Sequence, residues 1–204
     1  MIRMVTRTML ALTALLLSTA PAMAASTVYH VIGGEVLALF TVENVETCAS
    51  GETATSLTTI GAFAVETKTQ TAGGQSVALQ TFVSITTFNG CTFEGSGSFG
   101  VFEGGQLQMN ALNSGAIVGR YVVDGVTLDL NLTVTGVGQA THTRTRQKNE
   151  GNVMTITRSN GFTREGTLSG TVAIDGQVIP LSQTTSQFGS LSRYNGGEIV
   201  VVRP

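Results

Sequence analysis

Val83-Ser84-Ile85-Thr86-Thr87-Phe88-Asn89-Gly90-Cys91-Thr92-Phe93-Glu94-Gly95 opens a 24-residue stretch, ending at Gln106, that the chain writes twice. The second copy starts 71 positions later as Met154-Thr155-Ile156-Thr157-Arg158-Ser159-Asn160-Gly161-Phe162-Thr163-Arg164-Glu165-Gly166 and ends at Gln177. The two align without a gap and share 11 of 24 residues, among them both Asn-Gly, both Glu-Gly and both Gly-Gln pairs. Asn-Gly between alternating runs signals a hairpin, because a type I′ turn needs positive φ at both central residues. The reading is therefore a β-hairpin used twice, within an internal duplication spanning about 47–106 and 121–177.

The surrounding sequence is punctuated in the same way. Asp124-Gly125 and Asp175-Gly176 are further hairpin turns. Between the first of these and the second copy, Leu128, Leu130, Leu132 and Val134 alternate with Asp129, Asn131, Thr133 and Thr135, the period-two pattern of a half-buried strand. Gly33-Gly34 divides two apolar runs, Val28 to Ile32 and Val36 to Val45. The closing Gly196-Gly197-Glu198-Ile199 resembles Gly33-Gly34-Glu35-Val36, so the two ends of the chain are expected to pair or to lie at equivalent edges. No segment keeps apolar residues at helical spacing between proper caps. The fold class is all-β: an antiparallel barrel or sandwich of about ten to twelve strands in two related, hairpin-rich halves.

Residues 1–24 read as a secretory signal peptide, with Arg3 and Arg7 before an apolar run from Met9 to Leu17 and Ala22-Met23-Ala24 as the cleavage site. Residues 25–204 are then a single β-domain, 42% hydrophobic content over the full sequence being enough for a real core. Charged residues make up 12%, about half the usual share. After cleavage the chain carries 9 basic and 13 acidic residues, a balance that does not suggest nucleic-acid binding, which wants a strongly basic face. The charge is uneven. Residues 25–119 hold seven glutamates and one lysine, and residues 120–204 hold eight basic and six acidic groups, so head-to-tail contact between copies is open and an oligomer is possible. The localisation that follows is export: periplasm, cell surface or extracellular space.

Cys48 and Cys91 are the two cysteines. In an oxidising compartment an even count favours a disulfide. The duplication agrees, since both are replaced by hydrophobic residues in the second copy, as expected of a bonded pair. Such a bridge stabilises by roughly 2–4 kcal/mol.

The search for chemistry leaves no catalytic residues and implies no cofactor or metal. His30 and His142 have no nucleophile motif nearby, and G-x-S-x-G is missing. Glu94 and Glu165 correspond in the two copies and invite comparison with a glycosidase pair, but a hairpin bulge explains the repetition better. Asp124, Asp129 and Asp175 lack calcium-loop spacing. What remains is a pair of polar alternating stretches, Thr67-Lys68-Thr69-Gln70-Thr71 and Thr141-His142-Thr143-Arg144-Thr145-Arg146. Thr67, Thr69 and Thr71 share one face of their strand, and Thr141, Thr143 and Thr145 share one face of theirs. Such ladders can order water or meet sugar hydroxyls. The plainer reading makes them exposed strand ends, with His142, Arg144 and Arg146 guarding an edge. The function expected is an exported, non-enzymatic β-domain that binds a ligand or a surface: a small apolar molecule in a barrel lumen, a glycan, or a protein. The alternatives are a small outer-membrane β-barrel, and an enzyme whose site is assembled from distant strands.

Overall fold

The computed structural model describes residues 26–103, 106–149, 153–181 and 184–202; the expected signal peptide lies outside them. Nearly all of these residues belong to eleven strands and none to a helix. They are β1 (Ser26–Thr47), β2 (Thr53–Thr71), β3 (Gly74–Asn89), β4 (Glu94–Glu103), β5 (Gln106–Asn110), β6 (Ser114–Val123), β7 (Val126–Gly136), β8 (Thr141–Asn149), β9 (Val153–Ile174), β10 (Gln177–Pro180) and β11 (Ser186–Val202).

All form one antiparallel sheet in the order β4-β3-β2-β1-β11-β9-β7-β6-β5, with β8 and β10 also paired to β9. The sheet is open: β4 and β5 end its main path and do not pair with each other, and β8 and β10 pair only with β9. The all-β antiparallel class holds, while neither the expected closed barrel nor a two-sheet sandwich is formed as such: the strands make a single open sheet folded over on itself. The terminal strands do pair, Leu37 opposite Ser190 and His30 opposite Gly197, but they meet in the middle of the sheet, not at a closing seam. Gly33-Gly34 does not interrupt β1, because cross-strand partners on both sides carry its pairing through.

The core lies where the sheet doubles back. Val36, Ala38 and Phe40 of β1, Ile60, Ala62 and Ala64 of β2, and Val83 and Ile85 of β3 face Ile117, Tyr121 and Val123 of β6 and Leu128, Leu130, Leu132 and Val134 of β7. The alternating residues of β7 fall as their pattern requires, each leucine at most 2% exposed, which contributes about 1.5–3 kcal/mol apiece. The two leaves approach closely because Gly115 has no side chain: a Cβ there would collide with Val36 and Leu191. Phe102 of β4 meets Tyr121 edge to face, ring centroids 5.0 Å apart.

The Asp-Gly turns form as read, with φ of 48° and 86° at Asp124 and Gly125 and of 49° and 84° at Asp175 and Gly176. The repeated Asn-Gly pair behaves differently in its two copies. After Asn89 the chain makes a four-residue loop, in which the Asn89 side chain accepts the amides of Cys91 and Thr92 and Phe93 takes the positive φ. Asn160-Gly161 makes no turn at all. It lies inside the 22-residue strand β9, with Asn160 opposite both Arg144 and Asn195. Flanking strands are the reason: β8 and β11 satisfy the backbone of β9 on both sides, so nothing favours a reversal. The copied hairpin is corrected to a single long strand.

Cys48 and Cys91 lie at disulfide distance, 1.97 Å between sulfurs and 5.4 Å between Cα atoms. The bridge ties the β1–β2 turn to the β3–β4 loop, consistent with an oxidising compartment.

Candidate functional site

Strand β9 outruns the core. Its second half pairs with β7, while its first half continues between β8 and β11. The step from β7 to β8 is fixed by Arg164, whose Nε donates to the Gly138 carbonyl at 3.0 Å and whose Nη1 donates to Leu112 O and Asn113 Oδ1. Beyond that step β8, β9, β11, β1, β2 and β3 project past the doubled region. Both faces of the projection meet solvent: all nine residues of β8 are exposed, and Ile32, on the side that continues the core face, is 45% exposed.

Register decides which residues share a face. Thr143 lies opposite Gly161, Gly161 opposite Tyr194, Tyr194 opposite Gly33, and Gly33 opposite Thr67. One step along, Thr145, Ser159, Gly196, Val31 and Thr69 form the next row. In the other direction Thr141, Thr163, Ser192, Glu35 and Val65 form a third. The two threonine ladders, read separately in the sequence, therefore stand in register on one outer face, four strand spacings or about 19 Å apart. Thr71 shares that face, one row beyond Thr69.

The floor between the ladders is low because glycines occupy it. Tyr194 lies across Gly33, where any side chain would collide with its ring, and its hydroxyl meets Thr67 Oγ1 at 2.8 Å. The ring is thus pinned flat between the ladders. Thr163 and Ser192 hydroxyls are 3.2 Å apart. At the β2–β3 end, Thr69, Thr71 and Ser76 line an open hollow of about 300 Å³. Burial raises the Glu35 carboxyl above its ordinary 4.5.

His142, Arg144 and Arg146 alternate with the ladder and stand on the opposite, inner face. His142 stacks on Phe162, centroids 4.6 Å apart. Sequence reasoning missed Tyr194, Arg158 and Arg193, which belong to the same projection. The signal available was the likeness of the two chain ends: carried through as a pairing, it sets Tyr194 beside Gly33. Glu94 and Glu165 are not brought together, being on β4 and β9, five strands apart in the sheet order. Elsewhere on the outer face, Leu39, Phe188, Phe99 and Val101 form an exposed apolar area across β11, β1 and β4.

No family model matches this chain, and no curated protein matches it. Among solved structures it is similar to an AttH candidate from Nitrosomonas europaea at 8% identity and a TM-score of 0.32. The alignment covers 85% of this chain and 52% of the other, so the chain spans about half that protein's length.

Proposed function

We propose that the protein is an exported, non-enzymatic binding domain whose outer face holds a neutral polysaccharide surface. The observation that carries this reading is the in-register placement of Thr67 and Thr69 with Thr143 and Thr145 on one low-relief face. Repeated hydroxyls on a rigid sheet match repeated sugar hydroxyls, and their pre-set geometry keeps the entropy of binding small. The pinned ring of Tyr194 offers a flat apolar surface for a sugar's C–H face.

The orientation of β7 speaks against a membrane barrel. Its leucines point into the core and Asp129, Asn131 and Thr133 point outward, the reverse of what a lipid-facing strand requires. Open sheet edges also leave backbone groups that a bilayer cannot satisfy.

The test is co-sedimentation of the purified protein with insoluble cellulose and chitin. Retention should be lost when Thr69→Lys and Thr143→Lys are combined, with the melting temperature unchanged. Failure of the wild-type protein to sediment with either polymer rejects the reading.

A further inference from the structure

We propose that the inner face of the projection is a second site, which binds an acidic polysaccharide. The whole sequence has a formal net charge of −2, yet its cations gather on this face. Register places Lys68, Arg144, Arg146, Arg158 and Arg193 on it, together with both histidines of the described chain, His30 and His142. The carboxylate that register places there is Glu66, and it is already paired with Lys68 at 2.9 Å. Arg144, Arg146, Arg158 and Arg193 make no ion pair among the described residues; the other pair, Arg120–Asp129, is on the outer face.

The arrangement works against the isolated fold. Arg146 lies directly opposite Arg158 across the β8–β9 pair, and like charges in that position are destabilising. A structural role for these arginines would supply a carboxylate; here the compensating anion must come from outside. Two shallow grooves open on the same face. One, of about 300 Å³, includes Lys68 and Arg193 over Leu107 and Met109. The other, of about 260 Å³, includes His30, Arg158, Asn160 and Asn195. Each is at or below the small end for a ligand site and would take a unit or two of a longer chain.

The neighbours of the arginines choose among polyanions. Asn160 and Asn195 are opposite each other and offer both donors and acceptors, as sugar hydroxyls require. Exposed Ile32 is flanked along its row by Asn195 and Lys68, and its apolar neighbours Leu107 and Met109 are confined to the first groove, so no apolar stripe runs across the strands for acyl chains. Phe162 gives one of its faces to His142, so these rings form a single stack and not the row of platforms that successive bases would need.

The site lies on the face opposite the threonine ladders and stands or falls without them. Isothermal titration of the full exported protein with polygalacturonate, against dextran of equal length, tests it. Binding to polygalacturonate alone is expected, weakening as salt rises. Arg146→Gln with Arg158→Gln should lower affinity about tenfold without lowering the melting temperature, because the substitutions remove a repulsion. Arg120→Gln should leave affinity unchanged. The proposal is overturned if polygalacturonate does not bind at low salt, if dextran binds equally, if the arginine variants bind as the wild type does, or if phosphatidylglycerol vesicles or duplex DNA bind more tightly.

Discussion

Gly161→Val separates the two readings of the repeated Asn-Gly motif. In a type I′ turn this residue would need positive φ, and a β-branched side chain there costs about 1–2 kcal/mol or more. In β9 the residue sits between Thr143 and Tyr194 with extended neighbours on both sides, and the atom nearest to an added Cβ is the Thr143 carbonyl oxygen at 4.0 Å. The valine therefore enters open space on the outer face. A glycine inside a strand costs roughly 0.5–1 kcal/mol relative to alanine, and a branched side chain suits the pleat better still. The variant should gain about 1 kcal/mol, which for a domain of this size raises the melting temperature by about 2–4 °C. The same change in the first copy has the opposite sign: a Cβ on Gly90 would run into the backbone of Thr55, so even Gly90→Ala should destabilise by about 1–3 kcal/mol. Thermal unfolding followed by far-ultraviolet circular dichroism, on oxidised protein, reads both. A fall in melting temperature for Gly161→Val, matching that of Gly90→Ala, would refute the long strand.

Three further outcomes follow from local chemistry. Tyr121 is 4% exposed and its hydroxyl has no partner among the described residues, so Tyr121→Phe should stabilise by about 1 kcal/mol, read as a higher melting temperature; a lower one would mean the hydroxyl is satisfied. Reduction of Cys48–Cys91, whose separation is 43 residues, should remove about 4 kcal/mol by loop-closure entropy and lower the melting temperature by about 10 °C; a change under about 2 °C would show that the bridge constrains little. Glu35 is raised by burial, so the folded chain holds its proton to higher pH than the unfolded chain, and stability rises as pH falls through that window. Glu35→Gln should therefore be the more stable protein at pH 7, with the gap closing as pH approaches the ordinary carboxylate value of 4.5; a gap that widens on acidification contradicts the assignment.

The sequence made some of this legible and hid the rest for identifiable reasons. The leucines of β7 show their face directly, because one side is buried and the other wet. The Asp-Gly turns are local, so residues 124–125 and 175–176 could be read without knowing their neighbours. The cysteine pairing followed from the joint loss of both residues in the second copy. Asn160-Gly161 misled because turn propensity is a local preference, and here pairing with β8 on one side and β11 on the other overrode it. Threonine ladders were visible one strand at a time. That they share a face depends on β11 pairing with β9 and on β1 pairing with β11, the latter a register set by contacts across more than a hundred residues. The basic face was hidden because Arg158 joins Arg146 only when β8 and β9 pair straight through Asn160-Gly161, and Arg193 joins them only through the β11–β9 pairing.

The most direct test of the account is nuclear magnetic resonance of protein labelled at threonine methyl groups, titrated with a soluble chito- or cello-oligosaccharide. Signals of Thr67, Thr69, Thr143 and Thr145 should shift together with one affinity, while buried Thr81 stays fixed. Shifts confined to threonines of the apolar area, such as Thr59 and Thr86, or none at all at millimolar sugar, would contradict it.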